Sequence, residues 1–145
     1  MPLLRTDFRR TVQLLHELPD GTSHVDWMIA RDRAGREPLI SFRLPRRIDE
    51  LKPGQCMAAE RIADHRPAYL DYEGRVSGER GSVRRLAWGT VVSERRQRSS
   101  WNLEIRWHDR GDGMAMIRQR LRLEPLEAGA TAWEAVCEAA EATDG

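Results

Sequence analysis

Residues 23–31 read Ser23-His24-Val25-Asp26-Trp27-Met28-Ile29-Ala30-Arg31. In the alternation of a β-strand, Val25, Trp27 and Ile29 share one face, while His24, Asp26, Met28 and Ala30 share the other. The first set predicts a strand packed inward on a core. The second sets an imidazole and a carboxylate side by side on the opposite face. Upstream, residues 11–16 (TVQLLH) form a short β-rich run, and Pro19-Asp20-Gly21 supplies the turn into the next strand. Downstream, residues 37–44 (EPLISFRL) read as a third strand, so the three make an antiparallel meander with short loops. Between Pro45 and Pro53, Arg-Arg-Ile-Asp-Glu-Leu predicts a single helical turn.

The stretch from residue 55 to 81 carries several glycines and no long periodicity, which predicts a loop-like segment with short strands, the kind that tends to bear function. Residues 82–93, 101–107 and 115–123 are β-rich and separated by polar, glycine-containing turns, a second meander. Residues 131–142 (TAWEAVCEAAEA) are rich in Ala and Glu, with Thr131 placed as N-cap and Glu134 at capping-box spacing. Trp133, Val136, Cys137 and Ala140 fall on one helical stripe, so a C-terminal α-helix docked on the sheet is expected. The whole reads as one mainly β domain over residues 1–145, a small antiparallel β-barrel or strongly curved sheet of about eight strands with that terminal helix.

Composition bounds the function. A chain of 145 residues, 40% of them apolar and 32% charged, has enough for a single core and is not disordered. The net charge of +1 neither proposes nor excludes a polyanionic partner. The basic residues are nearly all Arg, clustered at Arg43, Arg46 and Arg47, at Arg84 and Arg85, at Arg95, Arg96 and Arg98, and at Arg118, Arg120 and Arg122. Such clusters suit a phosphate backbone or form a solvated charged face. Cys56 and Cys137 are far apart and give neither a disulfide framework nor a cysteine zinc site. The N-terminus lacks the apolar run of a secretion signal and no stretch reaches the length of a membrane span, so a cytoplasmic protein without membrane association is expected.

The histidines carry the chemistry. An antiparallel pairing across the turn at residues 19–21 brings His16 beside His24 and Asp26. Two imidazoles and one carboxylate make a facial ligand set with open positions, suited to Mn, Fe or Zn as a Lewis acid. The alternative is a strand His and Asp that simply face water. His108, beside Asp109, Gly111 and Asp112, reads as a surface histidine, and Trp27, Trp88, Trp101, Trp107 and Trp133 read as core residues.

His65 lies in Asp64-His65-Arg66-Pro67-Ala68-Tyr69-Leu70-Asp71-Tyr72-Glu73-Gly74-Arg75-Val76-Ser77-Gly78-Glu79-Arg80-Gly81. This segment resembles the 3′-phosphoesterase domain of bacterial DNA ligase D, whose members carry a stretch close to D-H-P-x-x-Y-x-x-F-E-G-x-I-P-x-G-x-Y-G. Asp64, His65, Tyr69, Glu73 and Gly74 fall in register without a gap, Gly78-Glu79-Arg80-Gly81 matches the closing G-x-Y-G one position early, and Gly89-Thr90 matches the Gly-Thr closing the next strand of the family. Of the family's earlier motif, H-D-x-x-x-x-x-H-Y-D-F-R-L-E, His16 is similar to the first histidine and His24-Val25-Asp26-Trp27-Met28 to the His-Tyr-Asp-Phe-Arg run. The resemblance covers roughly residues 10–125.

The resemblance implies a stand-alone, divergent β-barrel enzyme that uses a divalent metal, typically manganese, to remove a 3′-phosphate or a 3′-terminal ribonucleotide in DNA repair. By position His16, His24 and Asp26 would hold the metal, with zinc or another transition metal as alternatives to manganese. His65 would contact the scissile phosphate and Tyr69 would assist beside it. The implied partners are nucleic-acid 3′ ends, in DNA or in DNA with a 3′ ribonucleotide, together with a DNA ligase or repair polymerase. The chain departs from the pattern at Met28, where the family has a phosphate-binding Arg, and at Arg80, where it has Tyr. Arg80 would return a cation to the site from another loop. The alternative, motivated by Met28 and the arginine clusters, is a catalytically impaired module that grips DNA ends without turnover. An iron dioxygenase triad built on His24 and Asp26 is a further alternative, but it leaves the match around His65 unexplained.

Overall fold

Strand β3 (Ser23–Ile29) pairs with β2 (Arg9–Glu17) through a tight turn in which the Leu18 amide donates to the Thr22 carbonyl. On its other side β3 pairs with β4 (Leu39–Leu44), completing the expected first meander. The computed structural model describes residues 3–5 and 8–143. After β4 comes a single 3-10 turn at Ile48–Glu50, as the sequence predicts, and then β5 (Cys56–His65). The chain continues through a second 3-10 turn at Pro67–Leu70 and the two-residue β6 (Gly74–Arg75) into β7 (Ser82–Gln97), β8 (Ser100–Asp109), β9 (Ile117–Pro125) and β10 (Ala132–Ala142). A short β1 (Leu3–Arg5) precedes them all.

These ten strands form one antiparallel sheet. Eight of them close a ring in the order β7, β2, β3, β4, β5, β10, β9, β8 and back to β7, with β1 and β6 attached to β7 outside that circuit. Closure leaves those eight strands paired on both sides, which removes the unpaired edges an open sheet would present. Strand β7 serves four partners because it is long and bends at register shifts near Gln13 of β2 and near Trp88 and Val91 facing β8. At the first of the β8 shifts stands Gly89, where a Cβ would lie 2.5 Å from the Arg106 carbonyl, so only glycine lets the two strands approach there.

The structure corrects two expectations. Residues 132–142 are strand β10, not a helix: the segment is paired to β5 on one side and β9 on the other. TAWEAVC also carries period 2, with Trp133, Ala135 and Cys137 turned to the core and Glu134, Val136 and Glu138 turned away. Helix propensity separates ordinary residues by only about 0.7 kcal/mol each, and the ladder on both flanks outweighs it. The expected N-cap Thr131 instead gives its carbonyl to the Arg61 amide of β5. The second correction is β5, ten residues of regular strand within a stretch the sequence presents as irregular. Among the described residues no helix is long and apolar enough to cross a membrane.

Two apolar clusters follow from the alternation of β3. Val25, Trp27 and Ile29 point into the ring with Phe42, Trp101, Ile105 and Trp107. Met28 and Ala30 point out, and join Val12, Leu14, Leu39, Leu70, Val76 and Val83 in a smaller cluster on the outside of the ring. The segment from His65 to Gly81 lies over this outer cluster, contributing Leu70 and Val76. A polar plug closes one end of the ring: Gln13 donates to Asp49 at 2.8 Å, Arg47 and Arg110 both bond the same carboxylate, and Gln119 ties Trp107 to the Ile48 carbonyl.

Candidate functional site

His16 of β2 stands directly opposite His24 of β3, and Asp26 follows two residues on along the same outer face. The carboxylate therefore meets both rings. Asp26 Oδ2 lies 3.3 Å from His16 Nδ1, and Oδ1 lies 3.0 Å from His24 Nε2. The two imidazoles meet edge to face with centroids 4.9 Å apart. One ligand atom from each of the three residues falls within 4.8 Å of the others, the only such group among the described residues. Asp26 is buried and the histidines half-buried.

The donor set can be tested for a cation by its hydrogen bonds. His24 Nε2 and Asp26 Oδ1 are both shielded from solvent and neither makes a hydrogen bond, close as they are. Set 3.0 Å apart without a well-aligned hydrogen bond between them, the two atoms have the spacing of neighbouring ligands of one ion. Around the other histidine, Nε2 of His16 lies 2.7 Å from the main-chain carbonyl of Arg80 and donates to it. That fixes the tautomer: in the neutral ring the lone pair sits on Nδ1 and faces Asp26, as when a second partner orients a metal-binding histidine. Burial pushes the His24 imidazole below its usual range. The charges of Arg43 and His16 add to that, and Asp26 opposes them. A neutral imidazole is the form that ligates. The three side chains fit a divalent ion.

Beside this group opens a cleft of about 480 Å³ lined by His16, Asp26, Met28, Asp64, His65, Arg66, Tyr69, Ser77 and Arg80 among others. The structure thus brings His16, Asp26, His65, Tyr69 and Arg80 to one cavity, with His24 at its edge through Asp26. His65 ends β5, where its Nδ1–H donates to the Ala63 carbonyl at 3.1 Å and its ring meets Tyr69 edge-on at 5.5 Å. Nε2 is left for a ligand. The 3-10 turn at Pro67–Leu70 holds Tyr69 beneath His65, and the buried Leu70 anchors that turn in the outer cluster.

Met28 lines the cleft floor and is fully buried among apolar neighbours, so no cation stands at that position. Cationic groups reach the cleft from the overlying segment instead. Arg80 is steadied by its own turn, Nε donating to the Ser77 carbonyl at 2.7 Å and Nη2 to the Ser77 hydroxyl at 3.2 Å. Arg66 is the group the sequence reasoning missed; its signal is an arginine in register with the proline that follows His in the family pattern. Among the described residues neither Arg66 nor Arg80 has a carboxylate within 4.0 Å. Asp64, the acid of the rim, is already met by Arg31 at 2.7 Å and Arg61 at 3.6 Å. Arg31 is thereby paired at the rim of the cleft.

The other expectations sort differently. None of the arginine clusters lines the cleft: Arg47 belongs to the polar plug, while Arg118 and Arg122 pair with glutamates of neighbouring strands. His108 is half-buried rather than on the open surface, bonded to the Thr90 hydroxyl at 2.7 Å and packed on Trp88. Trp27, Trp101 and Trp107 are core residues, and Trp133 packs against that core. A scan against models of known protein families finds no match to this chain, and a search of curated proteins finds none either.

Proposed function

We propose that this protein is a divalent-metal-dependent phosphoesterase acting on nucleic-acid 3′ ends, removing a 3′-phosphate or a 3′-terminal ribonucleotide in DNA repair. The observation that carries the reading is the facing pair His24 Nε2 and Asp26 Oδ1, 3.0 Å apart, beside a cleft that also holds His65, Tyr69 and two arginines with no carboxylate within 4.0 Å among the described residues. The resemblance of residues 64–81 to a 3′-phosphoesterase segment supports it, because Asp64, His65 and Tyr69, which match that segment, line the cleft.

His16, His24 and Asp26 would hold the ion, manganese by preference. A bound divalent ion draws charge from a phosphoryl oxygen and steadies the charge that builds there. The chain's own groups do the rest. Arg80 and Arg66 bind the remaining phosphoryl oxygens through charge-assisted hydrogen bonds. His65 presents Nε2 to the phosphate, and in its protonated form it gives that proton to the 3′ oxygen as the phosphorus–oxygen bond breaks and a water oxygen takes its place on phosphorus. Tyr69 packs against the His65 ring and orients it. With manganese and a DNA oligonucleotide ending in a 3′-phosphate, inorganic phosphate is released, and His24→Ala abolishes the release. Release that persists in His24→Ala would overturn the assignment.

A second reading rests on Met28. With an apolar side chain on the cleft floor, the site would grip a DNA end without turnover. Its signature is salt-dependent binding of 3′-phosphorylated DNA with no phosphate released.

A further inference from the structure

A second, smaller groove of about 240 Å³ adjoins the cleft, lined by Arg66, Tyr69, Tyr72, Arg75 and Ser77 among others. Arg66, Tyr69, Val76 and Ser77 line both, so the two cavities share a wall. The volume is below the roughly 300–1,000 Å³ of sites for drug-sized ligands, which leaves room for one ring system rather than a large molecule.

The groove combines an exposed aromatic with two exposed arginines. Tyr72 is 39% exposed, one of few large apolar side chains so open. Its ring is nonetheless fixed: it meets Tyr69 edge-on at 5.8 Å and its hydroxyl donates to the Arg75 carbonyl. A held aromatic ring in water is a stacking platform with little left to lose on binding. Arg66 and Arg75 are exposed, and among the described residues neither has a carboxylate within 4.0 Å. An aromatic face flanked by two guanidinium groups matches a nucleobase with its phosphates, and suits a single strand whose base is free to stack.

We infer that this groove is a subsite for the nucleotide preceding the 3′ end, its base stacked on Tyr72 and its phosphate held by Arg75, with Arg66 on the wall shared with the terminal phosphate. The substrate is then an unpaired 3′ terminus of at least two nucleotides. This rests on the reading of the neighbouring cleft as the site for the terminal phosphate.

The test is calorimetric binding to the manganese-loaded full chain at fixed salt, with non-hydrolysable 3′-phosphonate analogues of thymidine and of dithymidylate. The dinucleotide analogue binds about tenfold tighter than the mononucleotide, the size expected of one stacked base. Tyr72→Ala erases that preference and Tyr72→Phe keeps it. Equal affinity of the wild type for both analogues, or a preference that survives Tyr72→Ala, overturns the subsite and leaves the phosphate site standing. Failure of both analogues to bind a manganese-loaded chain overturns the subsite together with the phosphoesterase reading beneath it.

Discussion

His16 Nε2 and the main-chain carbonyl of Arg80 are hydrogen-bonded at 2.7 Å although 64 residues separate them in sequence. The bond joins a candidate metal ligand on the ring to the segment that roofs the cleft, so the order of that segment and the aim of the imidazole are one property. Gly81 makes the approach possible. It adopts φ +90°, and a Cβ there would lie 1.9 Å from the Glu17 carbonyl, next to His16.

Gly81→Ala is therefore expected to lift the roof from β2 and release His16. Losing the partner that orients a metal-binding histidine costs about 10- to 100-fold in metal affinity. Titration of the variant with manganese, read by electron paramagnetic resonance, should show that loss. An affinity equal to wild type would mean that the Arg80 carbonyl does not aim the ring.

Metal should stabilise the fold, since the ligands come from two strands that are neighbours only when folded. At a free manganese concentration of about 100 times the dissociation constant the gain is about 2.7 kcal/mol. For a chain of this length that raises Tm by roughly 5–10 °C. Chelator removes the shift, and Asp26→Asn does not show it. Thermal unfolding with and without manganese measures both. A wild-type Tm indifferent to manganese and to zinc would remove the metal from the account.

How far these features were legible depends on which residues one follows. The alternation at Val25, Trp27 and Ile29 against His24, Asp26 and Met28 fixes both the core face and the site face, and the turn at residues 19–21 sets the register that puts His16 opposite His24. That part is local, because one strand and one hairpin determine it. The β10 strand was not legible in the same way: Ala and Glu favour a helix locally, and only the presence of β5 and β9 on its flanks makes a strand the better state. The partners of Arg80 were hidden for a similar reason. Its carbonyl acts on His16 only because Gly81 permits a contact between distant segments, and main-chain atoms leave no trace in residue identity.

Arg80 separates main-chain from side-chain roles. Arg80→Ala removes the guanidinium from the cleft but keeps the carbonyl that holds His16. Charge-assisted hydrogen bonds contribute about 1.5–3 kcal/mol, so affinity for inorganic phosphate in the manganese-loaded protein should fall roughly 10- to 100-fold. Manganese affinity should stay within about twofold of wild type. Both constants come from paired calorimetric titrations, and unchanged phosphate affinity would place the anion elsewhere, with Arg66 as the remaining cation of the cleft.

Asp49 contributes to how stability depends on pH. Burial alone would raise its carboxyl, but Arg47, Arg110 and Gln13 bond it and hold it below the usual carboxylate range. A group lowered on folding is ionised more readily in the native state, so its contribution is complete above the unfolded value and is lost as pH falls through the folded one. Stability of the wild type should therefore decline below the ordinary carboxylate range, and Asp49→Asn should flatten that decline while lowering stability at neutral pH. Because the half-buried guanidinium groups of Arg47 and Arg110 then lose their shared buried partner, with only the exposed Glu50 left to Arg47, the neutral-pH cost should reach about 3 kcal/mol. Urea midpoints measured across acid pH for both proteins decide it: parallel curves would show that the plug at the end of the ring is held by packing and not by this carboxylate.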